Sequence, residues 1–202
     1  GNHFVINEDG IDSDFRVESN GNANMICTDG ANNRVGIGRV AVSNPFEVAG
    51  AAQFFSGIQL GGAGPSNNMD DYEEGTWTAA MTSTNGSALT MVARSCRYTK
   101  IGRMVYIYGV LTTTSLASAS GYLRVHGLPY TAASDWDDTA GVHISQASGL
   151  NITAGQTITG WVHPNGAYFN ISIWNTAVGT NYMTTGEWSD NGSCFFSGQY
   201  AV

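Results

Sequence analysis

Arg97-Tyr98-Thr99-Lys100-Ile101-Gly102-Arg103-Met104-Val105-Tyr106-Ile107-Tyr108-Gly109-Val110-Leu111 is the stretch that decides the fold class. From Val105 onward, Val105, Ile107 and Gly109 alternate with Tyr106, Tyr108 and Val110. Neighbouring side chains of a strand point to opposite faces, so this period of two predicts a central strand with two differently used faces. Working outward, further strands are expected over 76–82, 88–95, 121–126, 139–146, 156–163, 167–175, 181–188 and 193–201. Asn165-Gly166 lies between two of them and is a two-residue hairpin signal. No stretch sustains a helical period, so any helix should be a single turn. Roughly eight to ten strands in this part of the chain predict a β-sandwich of jelly-roll type.

Toward the N-terminus the pattern thins. Short apolar segments recur at Phe4-Val5-Ile6, Phe15-Arg16-Val17, Met25-Ile26-Cys27, Val35-Gly36-Ile37, Phe46-Glu47-Val48 and Phe54-Phe55. Turn chemistry separates them at Glu8-Asp9-Gly10, Ser19-Asn20-Gly21-Asn22, Asp29-Gly30 and Asn32-Asn33. Strands this short cannot bury a core on both faces within one chain. Solenoids and intertwined fibres supply what is missing by stacking on neighbours or sister chains, so these residues are expected to form a β-stalk that associates with partner chains. Gly36-Ile37-Gly38 precedes no helix and reads as strand geometry, with glycine admitting another backbone at close range. Residues 56–68 are rich in glycine and form a joint. The expected organisation is therefore all-β: a stalk over 1–68 and a jelly-roll-like β-sandwich head over 69–202.

Composition narrows the function. Of 202 residues only 12% are charged, with 8 basic and 16 acidic side chains and a formal net charge of −8. Nucleic acid and anionic membranes reward clustered Lys and Arg, so neither is expected as a partner. No apolar run approaches the ~20 residues of a membrane span, and no signal peptide is evident. A chain that begins at Gly1 is expected to be a processed product or a fragment. Cys27, Cys96 and Cys194 are far apart and odd in number, which points to buried free thiols rather than disulfides or zinc. No metal and no cofactor is expected.

Catalytic signals are weak. His3, His126, His143 and His163 are scattered and match no metal or nucleophile motif. Carboxylates pair at Asp70-Asp71, Glu73-Glu74 and within Asp135-Trp136-Asp137-Asp138. A glycosidase needs two carboxyl groups ~5 to 9.5 Å apart across a cleft, which adjacency in a loop does not supply. The chain is therefore expected not to be an enzyme.

Two stretches resemble bacteriophage tail-fibre and receptor-binding proteins. Asp14-Phe15-Arg16-Val17-Glu18-Ser19, after Val5-Ile6-Asn7-Glu8-Asp9-Gly10 and before Asn32-Asn33-Arg34-Val35-Gly36-Ile37-Gly38, is similar to segments of their fibre shafts. Asp71-Tyr72-Glu73-Glu74-Gly75-Thr76-Trp77-Thr78, followed by Tyr98-Thr99-Lys100-Ile101-Gly102-Arg103, resembles the opening of their C-terminal heads, with Ala79 where proline is frequent. The resemblance covers about the first half of the chain. It implies a parallel homotrimer on the virion, joined to other tail or fibre proteins and attached to a host-surface glycan or outer-membrane protein. A head fibre or decoration protein with a purely structural role, and a polysaccharide depolymerase, are the alternatives.

The expected ligand-binding residues are Asp135, Trp136, Asp137, Asp138, Tyr182 and Trp188, where aromatic rings lie beside carboxylates and amides in loop-like sequence. A ring can cover the apolar C–H face of a sugar while polar neighbours fix its hydroxyls. Aromatics at chain–chain contacts would look the same. Trp77, Trp161 and Trp174 occupy alternating strand positions and are expected in the core.

Overall fold

The computed structural model describes residues 14–202, apart from 63, 93, 139 and 177. The expected strand at Phe4-Val5-Ile6, the turn at Glu8-Asp9-Gly10 and His3 lie outside the described residues. The chain divides into two compact units between Ser56 and Gly57.

The first unit is one small sheet. Strands β1 (Arg16–Ser19), β2 (Asn22–Asp29), β3 (Arg34–Ile37) and β4 (Phe46–Val48) lie in that order, antiparallel except for the parallel β3–β4 pair. Asn33 takes a left-handed φ of 53° in the turn between β2 and β3, as its short amide side chain allows. Phe54-Phe55 departs from expectation: it lies in no strand, and the two rings are 53% and 91% exposed. Gly36 does mark a close backbone approach, but the partner is the chain's own loop. A Cβ there would stand 2.0 Å from the Arg39 carbonyl oxygen. Among the described apolar side chains of this unit, only Cys27 and Ala41 are buried.

The second unit is a large curled sheet, and the fold of the chain is all-β. Its strands are β5 (Ile58–Gln59), β6 (Asn68–Met69), β7 (Tyr72–Thr78), β8 (Ala80–Ser83), β9 (Thr90–Met91), β10 (Ser95–Ile101) and β11 (Met104–Ser115). They continue with β12 (Leu123–His126), β13 (Gly141–Ser148), β14 (Thr157–Val162), β15 (Tyr168–Thr176), β16 (Gly179–Tyr182) and β17 (Ser193–Ala201). The path runs β7-β10-β11-β17-β13-β14-β15-β12-β8, with β9 added on β11, β16 on β15, and β5 and β6 a separate hairpin. Consecutive strands β7 and β8 sit at opposite ends of that path with only Ala79 between them. The sheet must therefore curl until its ends approach, giving a flattened, sandwich-like barrel.

That topology explains two departures from the sequence reading. The segment 76–82 is not one strand, because the chain crosses at Ala79 from the wall paired with β10 to the wall paired with β12. The stretch 97–111 is a tight hairpin: Ile101 pairs with Met104 around Gly102, whose φ of 54° suits glycine. The expected alternation holds on its second arm. Val105 and Ile107 are buried, whereas Tyr106 and Tyr108 are 43% and 50% exposed.

The core lies between the two walls. Val105, Ile107, Leu111, Cys194, Phe196 and Tyr200 face Met81, Val125, Val162, Phe169, Ile171 and Ile173. Phe196 joins them through ring contacts to Trp77 at 5.9 Å and Phe169 at 5.5 Å. All three cysteines are free and buried, and burial pushes the Cys194 thiol up to about 12. Side chains of the head-opening motif bond to one another here. β7 and β10 pair, with Glu73 opposite Lys100 and Gly75 opposite Tyr98. Asp71 accepts from the buried Lys100 ammonium, Glu73 accepts from Tyr130, and Tyr98 meets Tyr130 edge-on at 5.6 Å. Motif segments some 20 residues apart in sequence are thus neighbours across one strand pair, and their carboxylates hold the sheet end together.

Candidate functional site

The inward set Phe169, Ile171 and Ile173 fixes the parity of β15, so Tyr168, Asn170, Ser172 and Trp174 point outward. Register carries this to the neighbours. Arg124 and His126 on β12 lie opposite Asn170 and Tyr168, Trp161 and Thr159 on β14 opposite Asn170 and Ser172, and Tyr182 on β16 opposite Ser172. One outer wall of the barrel is consequently paved with aromatic, hydroxyl and amide groups.

The rings form a connected series. Trp136 stacks on Trp161 at 5.3 Å with planes 18° apart. Trp161 lies 5.4 Å from His163, which stacks on Tyr168 at 5.0 Å. Tyr168 in turn stacks with His126 at 5.0 Å, and the Arg124 guanidinium lies 5.2 Å from its centroid. At the other margin Tyr122 meets Tyr182 at 5.5 Å. Between the margins an open depression of about 300 Å³ is lined by Trp161, Ser172, Thr180, Asn181 and Tyr182. Such a surface offers flat apolar faces to sugar rings and nearby donors and acceptors to their hydroxyls.

Of the residues expected from sequence, Trp136 is 63% and Tyr182 41% exposed, and both belong to this wall. Trp136, Asp137 and Asp138 form a short 3-10 turn that carries the indole, and Asp135 precedes it at the surface. The Asp138 carboxylate is engaged by Arg103, which ties the turn to the β10–β11 hairpin. Trp188 requires correction. It is 1% exposed, and its indole Nε1 donates to Thr113 Oγ1 at 2.9 Å, so it is a core residue and cannot touch a ligand. The converse holds for Trp174, which is 54% exposed, and for the half-buried Trp161. Both sit one residue out of step with the aliphatic positions, a parity readable from Gly160/Val162 and Ile171/Ile173. Arg124, His126, His163 and Tyr168 carried no sequence signal of their own, because strand pairing out of chain order assembles them.

His126 is held below its ordinary value of 6.5, first by burial and then by the Arg124 charge beside it. The unfolded chain therefore takes up this proton first as pH falls. The contribution is intact above pH 6.5 and is lost as pH drops through the depressed folded value. The urea midpoint of the head should decrease between about pH 7.5 and 5.5, and His126→Gln should flatten that slope. An identical slope in the variant would assign the titration to another group.

No family model and no curated protein matches this sequence. Among solved structures the chain is similar to the Dettilon tailspike protein (gp208), with a TM-score of 0.58 and 13% sequence identity. The likeness covers 77% of this chain and 27% of the tailspike chain. This chain thus spans about a quarter of that protein's length, and what the two share is the fold.

Proposed function

We propose that this chain is a virion attachment protein, a homotrimeric phage fibre or tail-appendage module that adheres non-covalently to a glycan on the host surface. The carrying observation is the connected aromatic wall, with Trp136 stacked on Trp161 and with Trp161 and Tyr182 bordering a depression walled by Ser, Thr and Asn side chains. The resemblance of the head-opening motif to phage receptor-binding heads, and the tailspike-like fold, support the same reading. Adhesion rather than catalysis fits the carboxylates. Asp71 is engaged by Lys100, Asp138 by Arg103, Glu73 by Tyr130 and Glu187 by Thr184. Retention of the full-length protein on a glycan array or on host cells tests the proposal, and an array without any retained glycan would overturn it. Release of reducing ends from a bound polysaccharide would overturn its non-catalytic part.

The trimer rests on the first unit. Val42, Phe46, Phe54 and Phe55 are 57%, 58%, 53% and 91% exposed, and among the described apolar side chains of that unit only Cys27 and Ala41 are buried. Exposed apolar area on this scale is characteristic of an association surface. Light scattering should give a mass near three times 21.4 kDa. The double change Phe46→Ser, Phe55→Ser should shift it toward the single-chain value. A wild-type mass of one chain would remove the trimer from the proposal.

A further inference from the structure

We propose that Arg124 makes the aromatic wall selective for acidic saccharides, its guanidinium pairing with an oxyanion substituent, carboxylate or phosphate, of the bound glycan. This inference rests on the attachment reading above and names the class of sugar it would take.

The first support is the charge pattern. Along the outward positions of β8, β12, β14, β15 and β16, Arg124 is the single formal charge, among aromatic, hydroxyl and amide side chains and His126. The protein as a whole carries twice as many acidic as basic side chains. Four of the other seven cations have a carboxylate: Arg16 pairs with Glu18, Arg39 with Glu47, Lys100 with Asp71 and Arg103 with Asp138. Arg124 has no carboxylate. Among the described residues its side chain makes no hydrogen bond and no ion pair, and its Nε is buried with no partner.

The second support is energetic. A partly buried cation without an ion partner is screened less by water than an exposed one, so an oxyanion beside it is attracted more strongly. The guanidinium is held against the Tyr168 ring rather than left to swing in solvent. Stacking of this kind orients a planar group with a fixed fork of donors, the geometry that suits carboxylate and phosphate oxygens.

The third is position. Arg124 and Trp161 flank Asn170 from the two neighbouring strands. With strands ~4.8 Å apart, the cation and the indole are separated by roughly 10 Å. A short oligosaccharide spans that distance, one ring on Trp161 beside the depression and its charged neighbour at Arg124. Asn170, 4% exposed, lies beneath the connection and keeps an amide in the floor.

The experiment is binding of the full-length protein to an array of neutral, carboxylated and phosphorylated oligosaccharides, for wild type and for Arg124→Met, Arg124→Lys and Trp161→Ala. Retention of carboxylated or phosphorylated glycans is expected, falling with added salt and weakened about ten- to hundredfold in Arg124→Met. Which anionic set is retained identifies the oxyanion. Arg124→Lys keeps the charge without the planar fork and should restore part of the binding, which separates lost pairing from lost packing. Retention of neutral glycans with Arg124→Met unchanged and Trp161→Ala inactive would overturn this inference and leave the attachment reading standing. No retained glycan at all would overturn both.

Discussion

Trp188→Ala should destabilise the head by ~3–5 kcal/mol, the range for deleting a large aromatic from a packed core. The indole is 1% exposed and has no solvent-side face to relax into. Its loss also removes a polar tie. Nε1 donates to Thr113 Oγ1 at 2.9 Å, and that hydroxyl lies 3.0 Å from the Ser189 carbonyl and 3.2 Å from that of Gly192. The Trp188 ring thus closes the loop between β16 and β17 onto β11. For a unit of this size such a loss should lower the melting temperature by about 10 °C. Trp188→Phe keeps most of the buried area but leaves Thr113 without its donor, and should cost ~1 kcal/mol. A shift of less than ~2 °C in the alanine variant would mean that the 188–192 segment is not part of the cooperative core.

That residue also marks the limit of what the sequence could reveal. Alternation along Val105–Tyr108 announces its own faces, because aliphatic and tyrosine side chains divide there between odd and even positions. Trp188 follows Gly186-Glu187 in turn-like sequence, where no period exists to say which way a side chain points. The turn folds inward because Glu187 accepts from both the Thr184 amide and its hydroxyl, which delivers the next residue to the core. Trp161 and Trp174 pose the opposite problem: their strands were legible, but alternation alone does not say which parity is buried. Phase comes from the aliphatic neighbours, with Val162 and Ile173 inward and the tryptophans therefore out.

The aromatic wall was legible only at its margins. Trp136 and Tyr182 stand out because large rings beside Asp, Asn and Thr have poor reasons to be buried. Arg124, His126 and Tyr168 read as ordinary strand residues. What makes them a group is that β12 inserts between β15 and β8, a pairing fixed by long-range register rather than by any local signal. The same non-local assembly joins Asp71 to Lys100 and Glu73 to Tyr130, although there both halves of the motif were visible in advance.

If the outer wall binds glycan as proposed, Trp161→Ala should abolish adhesion while leaving the second unit folded. Trp161 contacts the depression, supports Trp136 at 5.3 Å and continues to His163 at 5.4 Å, so one substitution removes a stacking face and unseats a second. A central aromatic of this kind carries ~2 kcal/mol or more of binding energy, about 30-fold per site. In the proposed trimer, three tethered sites would multiply that loss, because avidity of ~10²–10⁴ depends on each weak contact being made. Stability should change little, since the side chain lies on the outer face and Val142, Val162 and Phe169 fill the core behind it. Adhesion to host cells and thermal melting, measured on the same sample, separate the two effects. Tyr106→Ala is the control: its ring is 43% exposed on the opposite wall, beside Tyr108 and His143, and its loss should leave glycan adhesion intact. If adhesion instead disappears with Tyr106 and survives without Trp161, the ligand binds the β11–β17–β13 wall, and the aromatic series on β12, β14 and β15 must be reassigned to contact between chains. The two walls make opposite predictions from one pair of variants, which is why the aromatic chemistry they share does not leave the binding face ambiguous.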